Sequence, residues 1–149
     1  MSLKEKIKDD IKQAMRDKNE SRLSTLRMLS AAIQRREVDE RIQLDDAQVM
    51  VVIEKQVKQG REAIEQYVKG GRQDLADKES GEITVYQSYL PQQLSETEVD
   101  KLIAEAVATT GASSVKDMGK VMGWLKPKLQ GRADMGQIGG KVKHKLGVA

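Results

Sequence analysis

Tyr89-Leu90-Pro91-Gln92-Gln93-Leu94-Ser95-Glu96-Thr97-Glu98-Val99 is the stretch in which one helical pattern stops and a fresh one starts. Pro91 disfavours helix at the residue before it, so the preceding pattern ends near Leu90. The start signal then returns at once. Ser95 and Glu98 stand at capping-box spacing, with Leu94 and Val99 on either side as a hydrophobic staple. This punctuation predicts two helical modules, residues 1–90 and 95–149.

Working outward, the same rules find helices on both sides. Ser2 and Glu5 form a capping box ahead of the stripe Leu3, Ile7, Ile11, Ala14. A second helix is predicted around 22–37, carrying Leu23, Leu26, Leu29 and Ile33. Asp45 and Gln48 repeat the box, and Leu44 and Val49 the staple, before a third helix that ends at Gly70-Gly71. A fourth runs from about Asp74, with Gly81 a weak point within it. Beyond Pro91, a fifth helix carries Val99, Leu102, Ile103, Ala106 and Val107 and stops at Gly111; helices over 116–129 and 135–146 follow, Asp134 with Gln137 opening the last. The expectation is an all-α chain with a four-helix module followed by a three-helix module and no competing strand pattern.

Composition agrees. Charged residues make up 33% of the 149 residues and aromatics only 3%, with no Phe, so any core is aliphatic and suits helix-on-helix packing. Without Cys, disulfides, thiolate metal sites and cysteine nucleophiles are excluded, and one His cannot furnish a multi-histidine metal site. The N-terminus becomes charged at Lys4, leaving no secretory h-region. No apolar run approaches the ~20 residues that span a bilayer. These readings predict a soluble, cytoplasmic protein with no membrane, metal or cofactor.

The charge is unevenly placed. Residues 1–115 hold 18 basic and 21 acidic groups, whereas residues from 116 onward hold eight basic groups against Asp117 and Asp134. Segregation of this kind points to a polyanionic partner. On a wheel of 100° per residue, Met118, Val121, Met122, Leu125 and Leu129 share one arc. Gly119, Gly123 and Pro127 fall opposite, with Lys116 and Lys120. Exposed helix glycine costs about 1 kcal/mol relative to Ala, so a bare strip needs a reason. Two are open: close approach of a partner's backbone flanked by phosphate-neutralising lysines, or burial against the other module. Trp124, between Lys120 and Lys128, has two uses as well: stacking on a base or ribose, or covering the edge of a small core. The candidate nucleic-acid-binding set is Lys116, Gly119, Lys120, Gly123, Lys128, Arg132, Lys141 and Lys145. His144 among lysines is a solvated neighbour, and late lysines also complement the helix macrodipole.

Catalysis finds no footing in these residues. There is no Cys, no second His, and no G-x-S-x-G or H-E-x-x-H motif. Gly70-Gly71-Arg72 and Gly139-Gly140-Lys141 lack the Gly-Lys-Ser/Thr ending of a phosphate-cradling loop.

Several runs resemble the YqeY family: Arg22-Leu23-Ser24-Thr25-Leu26-Arg27-Met28-Leu29, 71–79 (Gly-Arg-Gln-Asp-Leu-Ala-Asp-Lys-Glu), Tyr89–Ser95, Lys116–Gly123 and Gly131-Arg132-Ala133-Asp134. They cover the chain in the right order. Stand-alone members of that family resemble the C-terminal tail of one subunit of the glutamine-dependent tRNA amidotransferase. There the tail helps hold tRNA while other parts do the chemistry. The resemblance implies an all-helical two-module fold and a role around tRNA, with Lys116, Lys120 and Arg132 as the matching basic positions. It also implies an inherited label of carbon–nitrogen ligase with glutamine as amido-N-donor, without the residues for that activity. Trp124 departs from the family pattern, where a smaller or aliphatic residue is expected. The functions to separate are a tRNA- or structured-RNA-binding module, a protein-interaction module docking on a tRNA-aminoacylating or amidotransferase complex, and an enzyme or enzyme subunit.

Overall fold

In a computed structural model, residues 1–147 are described. Seven α-helices account for most of them, and no strand occurs among the described residues. Backbone proximity divides the chain at Leu90/Pro91 into two compact units, Met1–Leu90 and Pro91–Ala149.

The first unit contains α1 (Leu3–Arg16), α2 (Glu20–Glu40), α3 (Asp46–Lys69) and α4 (Gln73–Gln87). Complete capping boxes open α1, through Ser2 and Glu5, and α3, through Asp45 and Gln48. The second helix is longer at both ends than its apolar stripe predicts. Asn19 caps it by accepting from the Arg22 N–H, and it ends at Arg41 in the left-handed region, φ 54°. The apolar stripes of all four helices converge on one cluster that includes Ile7, Leu26, Leu29, Val49 and Ile53, together with Tyr86 and Tyr89. Complete burial of such a side chain contributes about 1.5–3 kcal/mol.

The two glycines inside helices of this unit differ in use. Gly81 is exposed and α4 runs through it without a break. Gly60 is buried on α3, where an added Cβ would lie 2.9 Å from Ile83 Cγ1 of α4. Absence of a side chain there sets how closely these two helices approach.

The second unit contains α5 (Glu96–Thr110), a single 3-10 turn (Val115–Asp117), α6 (Met118–Leu129) and α7 (Met135–Gly147). Each helix gives one stripe to a single core: Val99, Ile103 and Ala106; Val121, Leu125 and Leu129; Ile138, Val142 and Leu146. Ser95 caps α5 by accepting from the Glu98 N–H, the forward half of the expected box. Gly111 stops that helix at φ 68°. At the start of α7 the Asp134 carboxylate accepts from the Gly136 N–H, one residue earlier than the predicted Gln137 partner.

Residues 92–94, read from sequence as connector, are tied into this unit. The Leu94 N–H donates to the Arg132 carbonyl at 2.9 Å, and Gln93 Nε2 to the Gly131 carbonyl at 2.7 Å. In return Arg132 Nε donates to the Gln92 carbonyl at 3.2 Å. Gly131 is buried with φ 77°, a conformation that favours glycine, so the α6–α7 turn is shaped to receive the incoming chain.

Candidate nucleic-acid interface

The wheel argument needs one change before the site is built. An α-helix over 116–129 was predicted, but Lys116 sits in the 3-10 turn and α6 starts at Met118. The cause is local. Asp117 accepts from the Ser113 N–H at 3.0 Å, which closes a tight turn ahead of the helix. That bond, with a further contribution from the nearby Lys120, holds the Asp117 carboxyl below its ordinary range. An acid within the basic stretch is thereby committed to the backbone.

From Met118 the predicted faces hold. Val121, Leu125 and Leu129 are buried, with Met118 and Met122 partly so, and Gly119, Lys120, Gly123, Pro127 and Lys128 are exposed. A Cβ built on Gly119 or Gly123 meets nothing within 4 Å, so neither glycine packs against the core of its own unit. Pro127 lies in the last turn of the helix. Having no N–H, it leaves the Gly123 carbonyl without its usual partner four residues on. Bare backbone is therefore open to solvent beside Lys120.

The other candidates separate into two groups. Lys116, Lys120, Lys128 and Lys145 are exposed, and none forms an ion pair with a described carboxylate. Lys141 is different. Its Nζ lies 3.0 Å from Asp100 and 3.3 Å from Glu96 across the α5–α7 joint, and Asp100 first, then Glu96, raises its pKa. It lines a groove with Ile103, Gln137 and Gly140 as a neutralised cation, joining two helices. Arg132 is half-buried and occupied by the Gln92 carbonyl. Lys120 and Lys128 are thus left open on α6, whereas Arg132 and Lys141 do structural work elsewhere in the unit.

Trp124 is half-buried and packs on the edge of the second core. Lys128 Nζ lies over its ring, 4.1 Å from the centroid. Helical side chains lean toward the N-terminus, so a lysine four residues on is well placed to reach back over the indole. The sequence placed Trp124 between Lys120 and Lys128 without showing this pairing, although the i, i+4 spacing was its signal.

Against known proteins, a family profile described as Yqey-like protein matches residues 4–146. The chain belongs to the Yqey-like family. Similar curated proteins include one from Pyrenophora tritici-repentis, 29% identical over 145 residues, covering 95% of this chain and 80% of the relative. A second, from Vanderwaltozyma polyspora, is 27% identical and covers 93% and 79%. A third, from Lachancea thermotolerans, is 30% identical and covers 89% and 74%. All three are named "Altered inheritance of mitochondria protein 41, mitochondrial". These names overturn the expectation of a cytoplasmic protein. A charged helical surface suits mitochondrial and cytoplasmic water equally. Residue composition therefore had no power to separate the two compartments.

Proposed function

We propose that this Yqey-like protein binds structured RNA, tRNA foremost, through the α6 face of its second unit, as an accessory of tRNA metabolism without catalysis of its own. One observation carries the reading: Lys116, Lys120 and Lys128 are exposed and form no ion pair among the described residues, beside helix backbone laid bare at Gly119 and Gly123. Exposed lysines without an ion pair gain from a polyanion that contacts several of them. Missing side chains let the phosphodiester backbone approach more closely than any other residue would allow. Helices offer no stacking sheet, so the fold suits RNA shape more than sequence. The likeness to the amidotransferase tail agrees in partner and in the absence of chemistry. The relatives' printed names place those proteins in mitochondria, and we extend that compartment to this chain.

The test is tRNA binding to the full chain across a salt series. Each neutralised phosphate contributes ~0.7–0.9 to the slope of log K against log salt. Lys116→Glu, Lys120→Glu and Lys128→Glu together should abolish most binding, whereas reversing Lys6, Lys8 and Lys12 in the first unit should change it little. Binding that ignores salt, or survives the triple reversal, rejects the reading. A second reading, docking on a tRNA-aminoacylating or amidotransferase complex, draws on exposed Met15 and Met28 beside Arg27 in the first unit. A stoichiometric complex that withstands high salt and ribonuclease would favour it.

A further inference from the structure

We infer that Trp124 is a stacking platform for one unpaired nucleobase, held ready in the free protein by Lys128. The inference rests on the RNA reading above and deepens it, since it selects RNA with an exposed base over plain duplex.

Lys120, Trp124 and Lys128 follow one another at four-residue steps along α6. Each step advances the side chain by about 40° around the helix and about 6 Å along it. The ring therefore has a lysine one turn before it and another one turn after it. Gly123, immediately preceding it, adds no side chain on its flank. The acid nearest this strip in sequence, Asp117, is engaged by the Ser113 N–H. The indole is therefore flanked along α6 by a lysine on each side, with no side chain at Gly123.

One edge of Trp124 belongs to the core, and the ring also carries the Lys128 ammonium at 4.1 Å. A cation seated over the centroid marks a π-face turned away from the core, which a core-covering tryptophan need not present. A nucleotide offers both groups an exchange. Its phosphate draws the Lys128 ammonium off the ring, and its base takes the vacated face. Base–aromatic stacking is the stronger of the two contacts at an exposed site, and the displaced ammonium keeps a counter-charge, so the exchange runs toward the bound state. Duplex RNA has no base to offer and would engage the lysines alone.

Trp124 is the sole tryptophan of the chain, so indole fluorescence reports on this ring. The experiment titrates the full chain with two RNAs, a hairpin with an unpaired loop and its stem closed as a blunt duplex. The hairpin should quench the emission, and the duplex should bind with a similar salt slope and no quenching. Trp124→Leu should weaken hairpin binding about ten-fold and leave duplex binding unchanged. Trp124→Phe, which keeps a ring for both core edge and base, should recover most of that loss. Lys128→Met should keep the quenching while lowering the salt slope by ~0.7–0.9. Helicity of each variant, by circular dichroism, separates lost contact from lost fold. Hairpin binding without quenching, or undiminished in a folded Trp124→Leu protein, overturns the platform and leaves the lysine face intact. Failure of both RNAs to bind overturns the RNA reading and the platform with it.

Discussion

The Tyr89 hydroxyl donates to the Asp10 carboxylate at 2.5 Å, joining residues 79 positions apart and tying the end of the first unit back to its first helix. Arg22 of α2 stands 3.9 Å from the same carboxylate, and Lys6 of α1 lies 5.6 Å from the centre of the Tyr89 ring. Three segments of the first unit are thus closed by one aromatic residue. Hydrogen bonds to charged groups contribute about 1.5–3 kcal/mol. Tyr89→Phe should therefore lower the unfolding free energy by roughly that amount. Asp10→Asn should act on the same bond, so the double variant should lose less than the two single losses added together. Full additivity in a denaturant-melt cycle would mean that the two groups do not interact.

Stability at high pH follows from the same corner. Burial first, and then the carboxylates of Glu82 and Glu79, push the Tyr86 hydroxyl up from 10 to about 12. Burial, with the bond to Asp10, raises Tyr89 as well. A raised pKa means that the folded state holds its proton where the unfolded chain has released it. The stabilisation is complete below pH 10 and lost as pH climbs through the folded values. Denaturant midpoints should accordingly hold up to about pH 10 and fall beyond it, with a shallower fall in Tyr86→Phe. An unchanged slope in that variant would count against the assignment.

Gly60→Ala should destabilise the first unit by about 1–3 kcal/mol, the usual cost of overpacking. Its new methyl would stand 2.9 Å from Ile83 Cγ1 and 3.1 Å from Glu79 Oε1. Gly119→Ala and Gly123→Ala should do the reverse and stabilise by up to ~1 kcal/mol each, because they gain helix propensity in open space. Thermal melts of the three variants decide this directly. If Gly123→Ala melts below the parent, the open strip is a packing surface after all.

Trypsin should cut the first unit first after Arg41. That residue is exposed at φ 54°, and residues 41–45 form the longest non-helical run between α1 and α4. Cleavage within 89–93 by a protease of broad specificity should be slow. Tyr89 is buried, and Gln92 and Gln93 are engaged by Arg132 and Gly131. Early cleavage there would contradict the hydrogen bonds that hold this stretch.

Helix starts and stops were legible because their causes are local. Ser2 with Glu5, Asp45 with Gln48, and Gly111 act on residues a few positions away. Apolar stripes were legible for the same reason, since their period belongs to a single helix. What escaped was every role decided at long range. Lys141 looks like any surface lysine until Asp100 and Glu96, 41 and 45 residues earlier, are brought beside it. Arg132 matches a family motif, but only the fold brings it to Gln92, 40 residues away. Gly60 falls on the apolar face of its helix in sequence, but only the fold shows that Ile83 of the next helix lies against it. Of the candidate interface, the lysines and glycines of α6 were readable because one helix carries them all.

The knot formed by Gln92, Gln93 and Leu94 with Gly131 and Arg132 has a consequence for ancestry and engineering. Both halves of that fastening lie downstream of Pro91, as does the Ser95 cap that follows. A splice made at Pro91 would move the buckle together with the strap. Whatever polypeptide is placed upstream, the transplanted piece brings the hydrogen-bond partners its own first residues use.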